Sequence, residues 1–200
     1  MRKHGVAWLA KVAILGAFAT VLMLIEFPLF FAPNFYKLDL SEIPVMVGAF
    51  ALGPLAGLAI EAVKILVNFM INGTETAGVG ELANFLIGAS FIVPASIVYY
   101  HHKSKKSAVI GMGLGILSMV IFGSLMNAFF LLPFYATLFH MNVSDFVAMG
   151  TAINPLITNL GGLILWAVIP FNLVKGLLIS SIVLLLYKHV SPLLHDRNAE

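Results

Sequence analysis

Residues 43–69 read IPVMVGAFALGPLAGLAIEAVKILVNF, two apolar runs that are separated by Gly53 and Pro54. Proline suits the first turn of a helix, where its missing N–H has no partner to lose, so this dipeptide predicts a tight turn with a new helix starting at Pro54. The run 54–71 is long enough to cross a bilayer, which takes about 20 apolar residues, whereas 43–53 is shorter. We therefore predict two consecutive helices in this stretch.

Four further apolar segments of spanning length lie at 6–31, 82–100, 108–139 and 161–187. Together with the two helices above they predict an all-α membrane protein, six transmembrane helices in a single bundle that forms one domain over residues 1–200. The composition agrees, because 60% of the 200 residues are hydrophobic and 10% are charged, whereas soluble domains carry about 25% charged residues. The mean hydropathy is +1.02.

The basic residues outside the spans predict the orientation, since Lys and Arg concentrate in cytoplasmic loops. On the opposite side Lys37 stands alone beside acidic residues. With six crossings, both termini are expected in the cytoplasm. The basic side carries seven residues: Arg2, Lys3, Lys103, Lys105, Lys106, Lys188 and Arg197.

Several ionisable residues fall inside the predicted spans, where a charge costs at least about 2.5 kcal/mol. Glu61 and Lys64 are three residues apart on one helix and are expected to neutralise each other. In IPFNLVKGLLIS (169–180), Asn172 and Lys175 also share a face, but no acidic residue lies within a turn of either. We assign Pro170, just before them, to a helix kink.

Two interpretations of Asn172 and Lys175 remain open at this point. They form interhelical hydrogen bonds, with Lys175 paired to Glu81, or they line a ligand pocket together with Asn127 of the preceding long helix. Helix capping is one explanation of Glu81 in GVGELANFLIG (78–88), but it explains Asn84, one turn deeper, less easily.

The loop FAPNFYKLDLSEIPV (31–45) combines polar and aromatic residues without a helical period. Such a loop suits a lid over a pocket, and it suits an interfacial aromatic belt equally well.

Missing motifs narrow the function. The chain has no cysteine and no GxxxxGK[ST] phosphate loop, and its six histidines lie in loops or at helix ends. We therefore do not predict ATP hydrolysis through a phosphate loop. We also predict neither a catalytic nucleophile–histidine pair nor a metal-binding motif. The net charge of +2 gives no reason to expect a nucleic-acid partner. A small membrane binding protein is favoured, and a small intramembrane enzyme using Glu81 and Lys175 as an acid–base pair is the alternative from another class.

Three segments together resemble a known family: ELANFLIGASF (81–91), LMNAFFLLPFY (125–135) and IPFNLVKG (169–176). The chain resembles the riboflavin-binding S components of energy-coupling factor (ECF) vitamin transporters, and residues 27–69 are similar to that family's first loop and second and third helices. The resemblance implies a six-helix subunit that captures riboflavin, as a transported ligand and not a cofactor, for a bacterial importer in the plasma membrane. Another vitamin is the alternative ligand.

The resemblance also implies which residues act. The ligand site would include Asn127, Asn172 and Lys175, together with Leu38 and the Glu81–Asn84 turn. Ala13 and Ala17 match an AxxxA pattern that contacts a membrane coupling protein, and two ABC-type ATPases would supply the missing phosphate loop.

Overall fold

The structure is a computed structural model that describes residues 5–195, with side chains described as far as residue 187. The main chain is almost entirely helical. In order, the elements are α1 (Val6–Met23), β1 (Phe27–Pro28), β2 (Lys37–Leu38), α2 (Glu42–Leu52), α3 (Pro54–Asn72), α4 (Val79–His101), α5 (Lys105–Met126), α6 (Leu132–Leu138), α7 (Val143–Thr151), α8 (Leu160–Leu163) and α9 (Ile169–His195).

Within the described residues, five helices are long and apolar enough to cross a membrane. They are α1, α3, α4, and two long helices at Lys105–Leu138 and Leu160–Tyr187 that each join several of the elements above. The tight turn at Gly53-Pro54 is confirmed: Gly53 has a φ of 99°, which favours glycine, and Pro54 opens α3. The helix before it, α2, has 11 residues and a length of about 17 Å, so a sixth crossing stays a prediction.

The predicted orientation also stays a prediction. Arg2, Lys3 and Arg197 lie outside the described residues, as does the side chain of Lys188.

The first helix is shorter than predicted. It ends at Met23, not at residue 31, and residues 24–41 turn back as a loop that contains a short antiparallel hairpin. Phe27 pairs with Leu38 and Pro28 with Lys37. Apolar composition suggested a longer helix, but Pro28 has no N–H for a helical hydrogen bond and restricts the residue before it. We call residues 24–41 the hairpin loop.

Both long helices contain one π-helical turn just before a proline. The turns are Asn127–Leu131, ahead of Pro133, and Ile164–Val168, ahead of Pro170. In each, the residue after the turn donates its N–H to the carbonyl five positions earlier. Such turns locally widen a helix and often occur at functional sites. The kink assigned to Pro170 stays a prediction, and the structure places a π-helical turn at residues 164–168, just before that proline.

The buried apolar residues form two clusters. The first lies among α1 to α5 and α9, and includes Phe50, Phe91 and Met112. The second lies beneath the hairpin loop, where Leu38 and Ala32 pack against α6, α7 and the α8–α9 region. Leu40 of the hairpin loop packs against both clusters.

Candidate ligand-binding site

A cavity of about 410 Å³ lies between the hairpin loop, α2, α4 and the two long helices. Its volume falls within the roughly 300–1,000 Å³ of small-molecule sites. The wall is mixed, with aromatic and aliphatic side chains and a small set of polar ones. The polar side chains of the wall include the buried Asp39, Glu42, Asn127 and Asn172 and the half-buried Asn84 and Lys175.

The two asparagines of the long helices are both buried and are held in the same way. Each carboxamide donates one N–H to the main-chain carbonyl four residues earlier: Asn127 to Gly123 at 2.8 Å, and Asn172 to Val168 at 2.9 Å. Asn172 Oδ1 accepts no hydrogen bond from the described residues. A carboxamide has two N–H donors and an acceptor oxygen, so Asn172 retains a donor and an acceptor for another molecule.

Gly123 brings the two asparagines together. Its carbonyl oxygen holds Asn127, and a Cβ placed on it would lie 3.2 Å from Asn172 Nδ2. A side chain here would therefore crowd the amide of Asn172. The close approach of the two long helices at this point depends on a glycine.

Lys175 forms an ion pair with the hairpin loop. Its Nζ lies 3.1 Å from Oδ2 of Asp39, and both side chains are largely buried. Of the two open interpretations, the one that pairs Lys175 with Glu81 is wrong in this partner, because Glu81 is bonded to Thr74 and Thr76. Sequence spacing could not reveal the true partner, because the pair joins residues 136 positions apart.

Asp39 is fixed by its own neighbours. The main-chain N–H of Ser41 donates to Oδ1 of Asp39 at 2.8 Å, and the Ser41 hydroxyl donates to the same oxygen. Burial alone would raise the pKa of this carboxyl, but Lys175, Lys64 and the Ser41 hydrogen bonds outweigh burial and lower it to about 2. Asp39 is therefore a carboxylate at any physiological pH.

Tyr36 connects the hairpin loop to the other long helix. Its hydroxyl donates to Oδ1 of Asn127 at 2.8 Å, and its ring lies 5.6 Å from the ring of Phe171. Burial, with Tyr135 nearby, raises the pKa of Tyr36. The phenol thus remains a neutral hydrogen-bond donor, and it extends an aromatic wall formed with Phe35 and Phe146.

The structure brings four of the six predicted ligand residues to the cavity: Asn84, Asn127, Asn172 and Lys175. Asn84 is partly buried, and its side chain makes no hydrogen bond within the described residues.

The other two predicted ligand residues lie beside the cavity and not in its wall. Leu38 is 1% exposed and packs in the second apolar cluster. Glu81 accepts hydrogen bonds from the hydroxyls of Thr74 and Thr76, at 3.1 and 3.2 Å, in the first turn of α4.

The expected ion pair between Glu61 and Lys64 is present, and it has a third member. Lys64 Nζ lies 2.8 Å from Oε1 of Glu61 and 2.8 Å from Oε1 of Glu42. All three side chains are at most 1% exposed. Of the three, Glu42 also lines the cavity, so this cluster borders the site through Glu42.

The predicted partner surface on α1, at Ala13 and Ala17, is exposed in the part of the chain that the structure describes. Ala10, Ala13 and Ala17 are all exposed, and they lie among exposed larger side chains such as Ile14 and Phe18. The opposite face of α1 packs on the bundle through Val12, Gly16, Ala19 and Thr20.

Sequence reasoning missed Tyr36, Asp39 and Gly123 as site residues. The first two lie in a loop whose polar and aromatic composition suggested a lid, but no spacing rule connects them to helices some 90 and 136 residues later. Gly123 had no signal, because a glycine in an apolar helix is common.

These features define an integral membrane protein that encloses a ligand-sized cavity near one end of its helices. A family model described as "ECF transporter, substrate-specific component" matches residues 8–187. The chain belongs to this family. Membership makes it a component of a transporter and not an enzyme.

Named relatives and a solved structure agree. The chain is 36% identical over 183 residues to the riboflavin transporter RibU of Staphylococcus aureus, covering 92% of this chain and 89% of that one. It is 31% identical over 192 residues to the riboflavin transporter FmnP of Bacillus subtilis, covering 96% and 95%. A solved structure of the S component of a bacterial ECF transporter superimposes with a TM-score of 0.73 at 34% identity, covering 95% and 98%.

Proposed function

We propose that this protein is the substrate-capture subunit of an ECF-type importer and that its substrate is riboflavin. The observation that carries the proposal is the unpaired donor and acceptor of Asn172 in the wall of a ligand-sized cavity. The names of the relatives support the choice of ligand, since both similar transporters described above carry riboflavin.

The chemistry of the cavity suits a flavin ring. The pyrimidine edge of riboflavin alternates carbonyl acceptors with an N–H donor, which the carboxamides of Asn127 and Asn172 match. Lys175 donates to a ring carbonyl or ring nitrogen. Phe35, Phe146 and the neighbouring aromatic side chains suit the dimethylbenzene end. A ligand without this polar edge would leave the amide groups of the cavity unpaired, which would weaken its binding by several kcal/mol.

Leu38, Glu81 and Asn84 are proposed as further ligand residues with different roles. Asn84 lines the cavity with a free carboxamide and would contact the ligand directly. Leu38 would support the hairpin loop from below, and Glu81 would fix the entry to α4 through Thr74 and Thr76.

The remaining features complete the proposal. The bundle would cross the bacterial plasma membrane six times, with α2 as the sixth segment, and both termini would be cytoplasmic. The cavity would then open outward. The exposed face of α1 around Ala13 and Ala17 would contact a membrane coupling protein that is joined to two ABC ATPases, because small side chains let another helix approach closely.

Purification tests the substrate. Protein extracted in mild detergent from a flavin-replete host is expected to be yellow, and stripped protein is expected to quench the fluorescence of added riboflavin at one ligand per chain. A colourless preparation that also fails to quench riboflavin would overturn the proposal.

A further inference from the structure

Five ionisable side chains gather between the cavity and the interior of the bundle. They are Asp39 of the hairpin loop, Glu42 of α2, Glu61 and Lys64 of α3, and Lys175 of α9. None of them is more than 12% exposed. If every group were ionised, three carboxylates would face two ammonium groups, and the cluster would carry one excess negative charge.

Hydrogen bonds assign each ammonium group to one carboxylate. Lys175 donates to Asp39 at 3.1 Å, and Lys64 donates to Glu42 at 2.8 Å. These two pairs are each neutral. The remaining carboxyl group is that of Glu61.

Glu61 has no hydrogen-bonded partner. Its Oε1 lies 2.8 Å from Lys64 Nζ, but the contact lacks the alignment of a hydrogen bond, and neither Oε1 nor Oε2 is bonded to any described group. The side chain is 0% exposed. A carboxylate in such a place loses its hydration, and the ammonium group beside it, Lys64, is already hydrogen-bonded to Glu42.

The other elements packed on the cluster supply no further charge. From α1, the hydroxyl of Thr20 donates to the main-chain oxygens of Gly16 and Lys64. From α4, Gly88 faces the cluster so closely that a Cβ there would lie 2.6 Å from Glu61 Oε1. Within the described residues, the five side chains above are thus the ionisable groups of the cluster.

We propose that Glu61 is a proton-binding site, which holds one proton at neutral pH and releases it at alkaline pH. A protonated Glu61 makes the cluster neutral, which removes the cost of an uncompensated buried charge beside another carboxylate. Neither oxygen of Glu61 is hydrogen-bonded, so protonation breaks no hydrogen bond within the described residues.

The protonation state of Glu61 affects riboflavin affinity, and this part of the inference rests on the proposed riboflavin function. Lys175 lines the cavity and belongs to the same buried cluster as Glu61, in which Lys64 contacts both Glu61 and Glu42. When Glu61 ionises, the added negative charge competes with the ligand for the Lys175 ammonium group. Riboflavin affinity is therefore expected to fall as the Glu61 proton is lost.

Infrared spectroscopy of the ligand-free protein tests the proton directly. In an ester-free detergent at neutral pH, the wild type should show the carbonyl stretch of a protonated carboxyl group, and the band should disappear on alkaline titration. Glu61→Gln should abolish the band. Glu81→Gln, which changes a carboxylate bonded to threonine hydroxyls outside the cluster, should leave it unchanged.

A second variant provides an independent test in case Glu61→Gln does not fold. In Glu42→Gln, Lys64 has no other carboxylate, so Glu61 should ionise to pair with it and the band should again be lost. A wild type without the band at neutral pH, or a band that survives both substitutions, overturns the proton site. Neither readout needs a ligand, so these outcomes do not depend on the riboflavin proposal.

The effect on the ligand is measured by fluorescence titration at neutral and alkaline pH. From neutral to alkaline pH, the riboflavin affinity of the wild type should fall by a factor about ten times larger than that of Glu61→Gln, because the glutamine cannot ionise. Identical pH profiles for the two proteins would overturn the connection between the proton and binding, and absence of riboflavin binding at every pH would overturn the proposed function instead.

Discussion

The ammonium group of Lys175 lies 3.1 Å from a carboxylate oxygen of Asp39, in a pair that joins the last long helix to the hairpin loop. The loop thereby neutralises a charge that the helix carries into the membrane. The same loop also holds Asn127 through Tyr36. The hairpin loop is thus bonded to both of the long helices that line the cavity.

Removing Asp39 should destabilise the protein. Asp39→Asn removes the carboxylate that is bonded to Lys175, and breaking a buried pair in this way costs roughly 3–5 kcal/mol. Glu26→Gln is the matched control, because it removes the exposed Lys37–Glu26 pair of the same loop, worth about 0–1 kcal/mol. Denaturant unfolding in detergent measures both.

The double variant Asp39→Asn/Lys175→Met separates stability from binding. Removing both charges should restore most of the stability, because no buried charge is left unpaired. Riboflavin affinity should stay low, since the donor of Lys175 is gone. A double variant that binds as tightly as the wild type would contradict a ligand role for Lys175.

Asp39 also predicts how stability depends on pH. Its pKa falls from an ordinary 3.8 to about 2 in the fold, so its stabilising contribution is fully present above about pH 4 and is lost as the pH falls toward about 2. The contribution is about 2 kcal/mol. Acid unfolding of the wild type and of Asp39→Asn measures it: the variant should lose less stability over this interval. Equal losses would show that the pair is not responsible.

Asn172→Ala should weaken riboflavin binding by at least about tenfold, or about 1.4 kcal/mol, because it removes a donor and an acceptor from the cavity wall. Leu173→Ala is the control, since that neighbour is 39% exposed and does not line the cavity. Fluorescence quenching gives both affinities. Parallel losses of folding and binding in Asn172→Ala would instead indicate a structural role.

Tyr36→Phe should reduce riboflavin affinity by about fivefold. The variant loses the hydroxyl that orients Asn127, and one neutral hydrogen bond is worth about 1 kcal/mol. Tyr100→Phe, an exposed tyrosine at the other end of α4, should have no effect. If the Tyr36 hydroxyl instead occupied an acceptor that the ligand needs, affinity would rise.

The pKa of Tyr36 lies above its ordinary value. The ratio of affinities between Tyr36→Phe and the wild type is therefore expected to stay constant between about pH 6 and pH 9.

Ala13→Trp and Ala17→Trp should leave riboflavin binding intact and prevent assembly with the coupling protein. An indole on this face keeps the partner helix from close approach, while the exposed position leaves the bundle itself undisturbed. Leu117→Trp, on an exposed position of α5, is the control. Co-purification with the coupling module measures assembly, and normal assembly of both alanine variants would remove this surface as the interface.

Much of the fold could be predicted because its signals are local. The lengths of the apolar segments predicted the spanning helices, and the dipeptide Gly53-Pro54 predicted the turn between α2 and α3. The end of α1 was predicted eight residues late because residues 24–31 are as apolar as the helix before them. In the site, Asn127, Asn172 and Lys175 were conspicuous as polar residues in apolar runs.

The partners of those residues could not be predicted from spacing. Asp39 reaches Lys175, and Glu42 joins Glu61 and Lys64, only through the packing of separate elements. Periodicity describes one helix at a time, so it identified the Glu61–Lys64 pair and missed the third member. Contacts between elements depend on how α2, α3 and α9 approach one another.

The two π-helical turns have a consequence for how the chain tolerates change in length. A single inserted or deleted residue rotates one part of a helix against the other by about 100°. Residues 127–131 and 164–168 already contain such an extra residue. Deleting one residue from 164–168 would convert the π-helical turn to a regular α-helical one, yet it would turn Leu163, now fully buried, away from the second apolar cluster. The number of residues in each long helix is therefore constrained by packing on both sides of its π-helical turn. Substitutions of lipid-facing side chains are tolerated, whereas insertions and deletions are not.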